Sequence, residues 1–128
     1  MRRNGGGMAE RYDLLERMTA FAVNVAKLSR RLPWNVSNNE HIRQAVRSSG
    51  SIAANYIEAD EAVSAKERVY RLRVCRKEAK ESSLWLHLLV ELNPDEHRGD
   101  LVALHDESQQ LRRILSAIIA KLDRSNTA

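Results

Sequence analysis

Arg47, Asn55, Glu58, Glu78 and Glu81 fall at or beside the contact faces of predicted helices, where polar side chains are unusual and could do chemistry. Two carboxylates brought together out of water can share general acid and general base roles. The same groups bonded to a guanidinium would instead form a network that fixes which helices pair and in what register, because a polar group on a packed face must find a partner. Arg47, Arg71 and Arg76 are the cations within reach of such a network. The network reading is the one preferred here over a catalytic carboxylate pair.

Other chemistry finds less support. A di-iron site in a helical bundle needs Glu-x-x-His on facing helices. The residues three before His41, His87, His97 and His105 are Asn38, Leu84, Pro94 and Val102, so none of the histidines has that carboxylate. Cys75 lies on an apolar seam without an evident His partner, and a buried Cys more often fills space than attacks a substrate. Ser48, Ser49 and Ser51 do not match Gly-x-Ser-x-Gly, and no glycine-rich loop is present to cradle a phosphate. No catalytic residue, metal ligand or cofactor site is expected, and the chain is read as a non-enzyme.

The signal that remains is a basic stripe. Lys66, Arg73, Arg76, Lys77 and Lys80 lie within about 100° of one another on a helical wheel, away from the apolar seam of the same helix. A solvated face accounts for such a stripe, yet a merely soluble helix would interleave Glu with Lys at one-turn spacing. Phosphate binding is the functional alternative. Trp34 and Trp85 suit either the core or a subunit contact, and Trp85, beside acidic residues on a second seam with Leu88, leans towards the contact.

Four helices would position these groups. In the first, Leu14, Met18, Phe21, Val25, Leu28 and Leu32 recur at steps of four and three, and Pro33 ends it near Arg31. The second should begin at Asn38 or Asn39 as cap. Its seam runs through Ile42, Ala45, Ser49, Ile52, Tyr56 and Ala59, with Val46, Ala53 and Ile57 widening the stripe and Ser49, Gly50 and Ala53 letting a neighbour approach. Ser64 and Glu67 have capping-box spacing and start the third. That helix has an inner seam through Leu72, Cys75, Ala79, Ser82, Leu86 and Leu89, and a second through Val74, Glu78, Glu81, Trp85, Leu88 and Leu92. Pro94 suits the first position of the fourth, whose seam is Leu101, Leu104, Ser108, Leu111, Leu115, Ile118 and Leu122, flanked by Ile114 and Ile119.

This pattern predicts an all-α, up-down-up-down, left-handed four-helix bundle over residues 10–124, with a flexible basic tail at 1–9 and a disordered C-terminus at 125–128. The 128 residues carry a net charge of +4, 43% hydrophobic and 30% charged residues, only two Pro and five Gly, which suits one helix-rich domain. Neither a membrane-length apolar run nor a signal-peptide core is evident, and a lone Cys builds no disulfide framework, so the cytoplasm is the expected compartment.

A combination of residues then carries a resemblance. Arg47, Ser51-Ile52, Asn55 and Glu58, followed by Ser64, Lys66 and Glu67, then Lys77-Glu78-Ala79, Glu81 and Trp85-Leu86, resemble the four-helix-bundle family first noticed as proteins encoded in intervening sequences of bacterial 23S ribosomal RNA genes. The resemblance spans residues 10–122. It implies a bundle assembled into a cyclic homopentamer, and a distant relationship to accessory proteins of diversity-generating retroelements, which bind nucleic acid and a reverse transcriptase. Members often have Glu-Gly where this chain has Glu58-Ala59, so helix two is expected to run further here. Two functions follow as expectations: a homo-oligomeric module binding RNA or DNA electrostatically, or a scaffold for a protein partner such as a reverse transcriptase with no nucleic-acid ligand of its own.

Overall fold

The computed structural model describes the backbone of residues 7–127 and side chains from Asp13 to Ser125. Its elements are α1 (Gly7–Ser29), α2 (Val36–Asp60), α3 (Ala65–Leu92), a single 3₁₀ turn (Asp95–His97) and α4 (Arg98–Thr127). The expected N-terminal tail therefore enters α1 at Gly7, with 1–6 outside the described residues, and the expected disorder at 125–128 gives way to helix through Thr127, with 128 outside them. Among the described residues there is no strand, and the four helices pack as a bundle.

Each helix end has a local cause. Asn35, in extended conformation, caps α2 by accepting the Asn38 amide through its side chain at 2.8 Å, so the cap lies three or four residues before the Asn38 or Asn39 expected. Ser64 caps α3 by accepting the Glu67 amide at 3.0 Å, as the spacing predicts. Without Gly after Glu58, α2 continues to Asp60. Pro94 does not open α4; it precedes the 3₁₀ turn, and α4 begins at Arg98.

Asn38 is not a cap because it is wholly buried and committed elsewhere. Its amide nitrogen donates to Asn93 Oδ1 at 2.8 Å and to the Pro33 carbonyl at 2.9 Å. Asn93 donates back to Asn38 Oδ1 at 2.9 Å and to the Leu89 carbonyl at 2.9 Å. This reciprocal amide pair ties the α1–α2 connection to the end of α3.

The α1 seam from Leu14 to Leu32 is buried throughout, as are Leu72, Cys75, Ala79, Ser82, Leu86 and Leu89 of α3. In α4, Ile119 rather than Ile118 is buried at the last turns. A 3.6-residue helix drifts about 20° per heptad from a strict 3.5 repeat, and three heptads move the contact by about half a residue. Val46 and Ile57 are 40% and 49% exposed, beyond the arc of α2 that its neighbours cover, so they do not widen the core stripe.

At mid-bundle α3 passes between α2 and α4 through a small, polar layer. Ser48 and Ser82 hydroxyls lie 2.8 Å apart across α2 and α3, and Ser83 and Ser108 hydroxyls 2.6 Å apart across α3 and α4. All four serines are buried. Close approach thus rests on Ser48 and Ala45, not on Gly50, which is exposed and whose missing Cβ would meet no atom within 4 Å.

Two stability measurements check this account. Gly50→Ala should raise the urea midpoint by an amount equivalent to about 0.5–1 kcal/mol, because it removes a helix-interior glycine without a clash. Asn38→Ala should cost about 1–3 kcal/mol by stranding the Asn93 amide, and the double variant with Asn93→Ala should lose less than the sum of the two.

Candidate functional site

The preferred polar network divides into two clusters along the α2/α3 seam. In the first, Arg47 on α2 reaches Glu78 at 3.3 Å and Glu81 at 3.1 Å on α3. Glu78 is nearly buried at 6% exposure while Arg47 is half open to solvent, so one guanidinium on the rim neutralises a carboxylate beneath it. Lys77 lies 4.0 Å from the other Glu78 oxygen. In the second cluster, Asn55 donates to the Ser51 carbonyl at 2.9 Å and to its hydroxyl at 3.0 Å, and accepts from Arg71 at 3.3 Å. Arg71 also approaches Glu58 at 4.0 Å. The two clusters keep Glu58 apart from Glu78 and Glu81. Arg76 joins neither, because it faces α4 and reaches Ser116 Oγ at 3.4 Å.

The basic stripe is gathered in part. Arg73, Arg76, Lys77 and Lys80 line one groove of about 390 Å³ along α3, together with Glu81 and Leu84. Lys66, in the first turn of α3, is exposed but does not line it. From α4, Asp123 holds Arg73 at 2.8 Å, an ion pair in which both side chains are half exposed. Asp123 and Ser116 are partners that the sequence reading missed. Seven residues apart on the polar flank of the α4 seam, they could have been found by placing that flank against α3.

Trp85 and Leu88 are half-buried at the outer edge of the α2/α3 contact. The Trp85 ring stacks on His41, with centroids 5.9 Å apart and planes at 20°. Trp85 Nε1 and His41 Nδ1 are buried without a hydrogen-bond partner. Leu92 and Tyr70 extend the same side of α3 as exposed apolar groups, whereas exposed Leu84 lies among the stripe cations. Trp34, in the α1–α2 connection, is 89% exposed and so takes no part in the core.

A cavity of about 560 Å³, absent from the sequence reading, opens at the end of the bundle between Leu14, Tyr56, Leu72, Ile114 and Ile118. Cys75 is fully buried, its thiol 3.4 Å from the Ile52 carbonyl, and burial pushes its pKa from 9.0 up to about 12, which keeps it a protonated space-filler. Among the described residues no group of three or more His, Cys, Asp or Glu could hold a metal ion, and no helix is long and apolar enough to cross a membrane.

Comparison with known proteins agrees with this architecture. A solved structure from Bacteroides thetaiotaomicron, a protein with unknown function from the S23 ribosomal protein family, superposes with a TM-score of 0.71 at 27% identity, covering 86% of this chain and 97% of its own. Nothing among curated proteins matches. The model of the 23S rRNA-intervening sequence proteins matches residues 10–117, nearly the whole bundle, and the chain belongs to that family.

Proposed function

We propose that the chain is a non-enzymatic, homo-oligomeric helical module that binds nucleic acid, structured RNA in particular, through phosphates along α3. The observation that carries this reading is the groove lined by Arg73, Arg76, Lys77 and Lys80. Its one carboxylate, Glu81, is turned to Arg47, so it offsets the groove's charge less than an isolated acid would. Flexible cations set along a shallow groove suit backbone contact, not base reading. A-form RNA presents shape, phosphates and 2′-hydroxyls to such a surface, and binding of this kind is largely sequence-independent and salt-dependent.

The oligomer in this reading is the ring of five that the family resemblance implies, built from left-handed bundles and acting in the cytoplasm. Trp85 and Leu88, with exposed Leu92 and Tyr70, would form the apolar edge that a neighbouring protomer covers. The same edge favours a second reading, a scaffold for a protein partner such as a reverse transcriptase, with nucleic acid incidental.

Replacing Arg73, Lys77 and Lys80 together by Ala should preserve the helical circular dichroism spectrum and weaken binding to a structured RNA. The slope of log affinity against log salt should fall by about two to three, since each lost phosphate contact removes roughly 0.7–0.9. RNA binding indifferent to both salt and these substitutions would reject the first reading, and a specific protein retained from nuclease-treated lysate would support the second. Light scattering at high salt should give the mass of five chains, with Trp85→Ala shifting it towards the monomer; a monomeric wild-type mass refutes the ring.

A further inference from the structure

Beside the cationic stripe, at the edge where α3 meets α4, two imidazoles face each other. His87 on α3 and His105 on α4 hold ring centres 6.1 Å apart, with planes tilted by 49°. Their meeting follows from the backbone. Ser83, one turn before His87, and Ser108, three residues after His105, bring their hydroxyls to 2.6 Å. Ser108 Oγ also lies 2.6 Å from the His105 carbonyl oxygen. So short a contact between small side chains draws the two helices together, and the larger side chains just outside it are brought close, their rings tilted to one another. His87 is exposed and His105 half-buried, so the pair opens to solvent.

We propose that His87 and His105 bind a divalent transition-metal ion of the zinc type, which clamps α3 to α4. Zinc sits about 2.0–2.1 Å from an imidazole nitrogen, hence about 3.2 Å from the ring centre. Two rings on one ion then have centres about 5 Å apart at a tetrahedral angle and about 6.4 Å apart when opposed. The observed 6.1 Å lies about 1 Å beyond the tetrahedral separation, and rotation of the exposed His87 side chain closes it. Imidazole suits zinc, copper and nickel, whereas magnesium and calcium take oxygen donors, so the donor pair sets the class of ion. Two protein ligands leave the remaining positions to water or to an incoming anion. Among the described residues neither ring is hydrogen-bonded to another side chain, so the ion displaces solvent and breaks no internal bond. The site stands on its own geometry, independent of whether the neighbouring cations hold phosphate.

The test uses the full-length chain and zinc ion alone. Calorimetric titration should give one zinc per chain, and zinc but not magnesium should raise the thermal midpoint, because an ion that bridges two helices favours the folded state. His87→Ala and His105→Ala should each weaken binding about tenfold or more, since losing even an outer-shell partner costs that much at metal sites. Each should also abolish the zinc-dependent rise, while His41→Ala and His97→Ala leave both unchanged. Circular dichroism confirms that the variants fold, with His87→Gln and His105→Gln replacing any that do not. Absence of zinc binding overturns the proposal, as does binding that survives both substitutions or a stoichiometry of one ion per two chains.

Discussion

Where α3 passes between α2 and α4, the contact residues are too small to fill the space by bulk, so the backbones must close the gap. Serine hydroxyls then meet across each interface, Ser48 with Ser82 and Ser83 with Ser108, in a buried layer. A buried hydroxyl without a partner costs about 1–3 kcal/mol, so each helix has one axial position at which both members of a pair are satisfied. The larger buried side chains Met18, Phe21, Leu86, Leu111 and Leu115 belong to the same core. Register and the nearness of the imidazole pair follow from this layer.

The ion pairs along the α2/α3 seam work differently from the serine layer. Arg47 is half exposed, so its attraction to Glu78 and Glu81 is screened and contributes of order 1 kcal/mol or less. The asymmetry matters more than the gain, because a nearly buried Glu78 without its guanidinium is a charge in a poor solvent. Slipping α2 against α3 by one turn would impose that penalty. The cluster therefore acts against wrong registers more than it adds to the right one.

Much of this was legible in the chain. Apolar residues alternating at three and four report directly on burial, so the α1 seam and the inner α3 seam came through complete. Errors arose where position on the wheel is insufficient. Val46 and Ile57 are apolar by type, but which arc of α2 its neighbours cover is a property of the assembled bundle. Gly50 looked like an approach point because glycine is small, whereas the residue facing α3 is Ser48, two positions away on a different side. Asn38 had the chemistry of a cap, and only the distant Asn93, 55 residues on, shows that it is a core amide. That Arg73, Arg76, Lys77 and Lys80 share one face was legible from charge and spacing, whereas Lys66 lies off the groove they line. Their α4 partners were not, because Ser116 and Asp123 enter through the closeness of α3 and α4.

With its inner faces committed to α2 and α4, α3 has two remaining sides, and they are chemically unlike. One carries Arg73, Lys77 and Lys80; the other carries Trp85, Leu88 and Leu92, with Glu81 between them. On a helix such sides lie within about a quarter to a third of a turn of each other, so any partner seated on the apolar side has its rim at the cations. Protomers repeating that contact around an axis would bring their stripes to equivalent places on one assembly. Fields from like charges so arranged add, while the Arg73–Asp123 pair subtracts from each copy. In such an assembly, subunit contact and electrostatics would be coupled through one helix: a change at Trp85 that loosened the contact would also dilute the field at Lys77 and Lys80, although it touches neither.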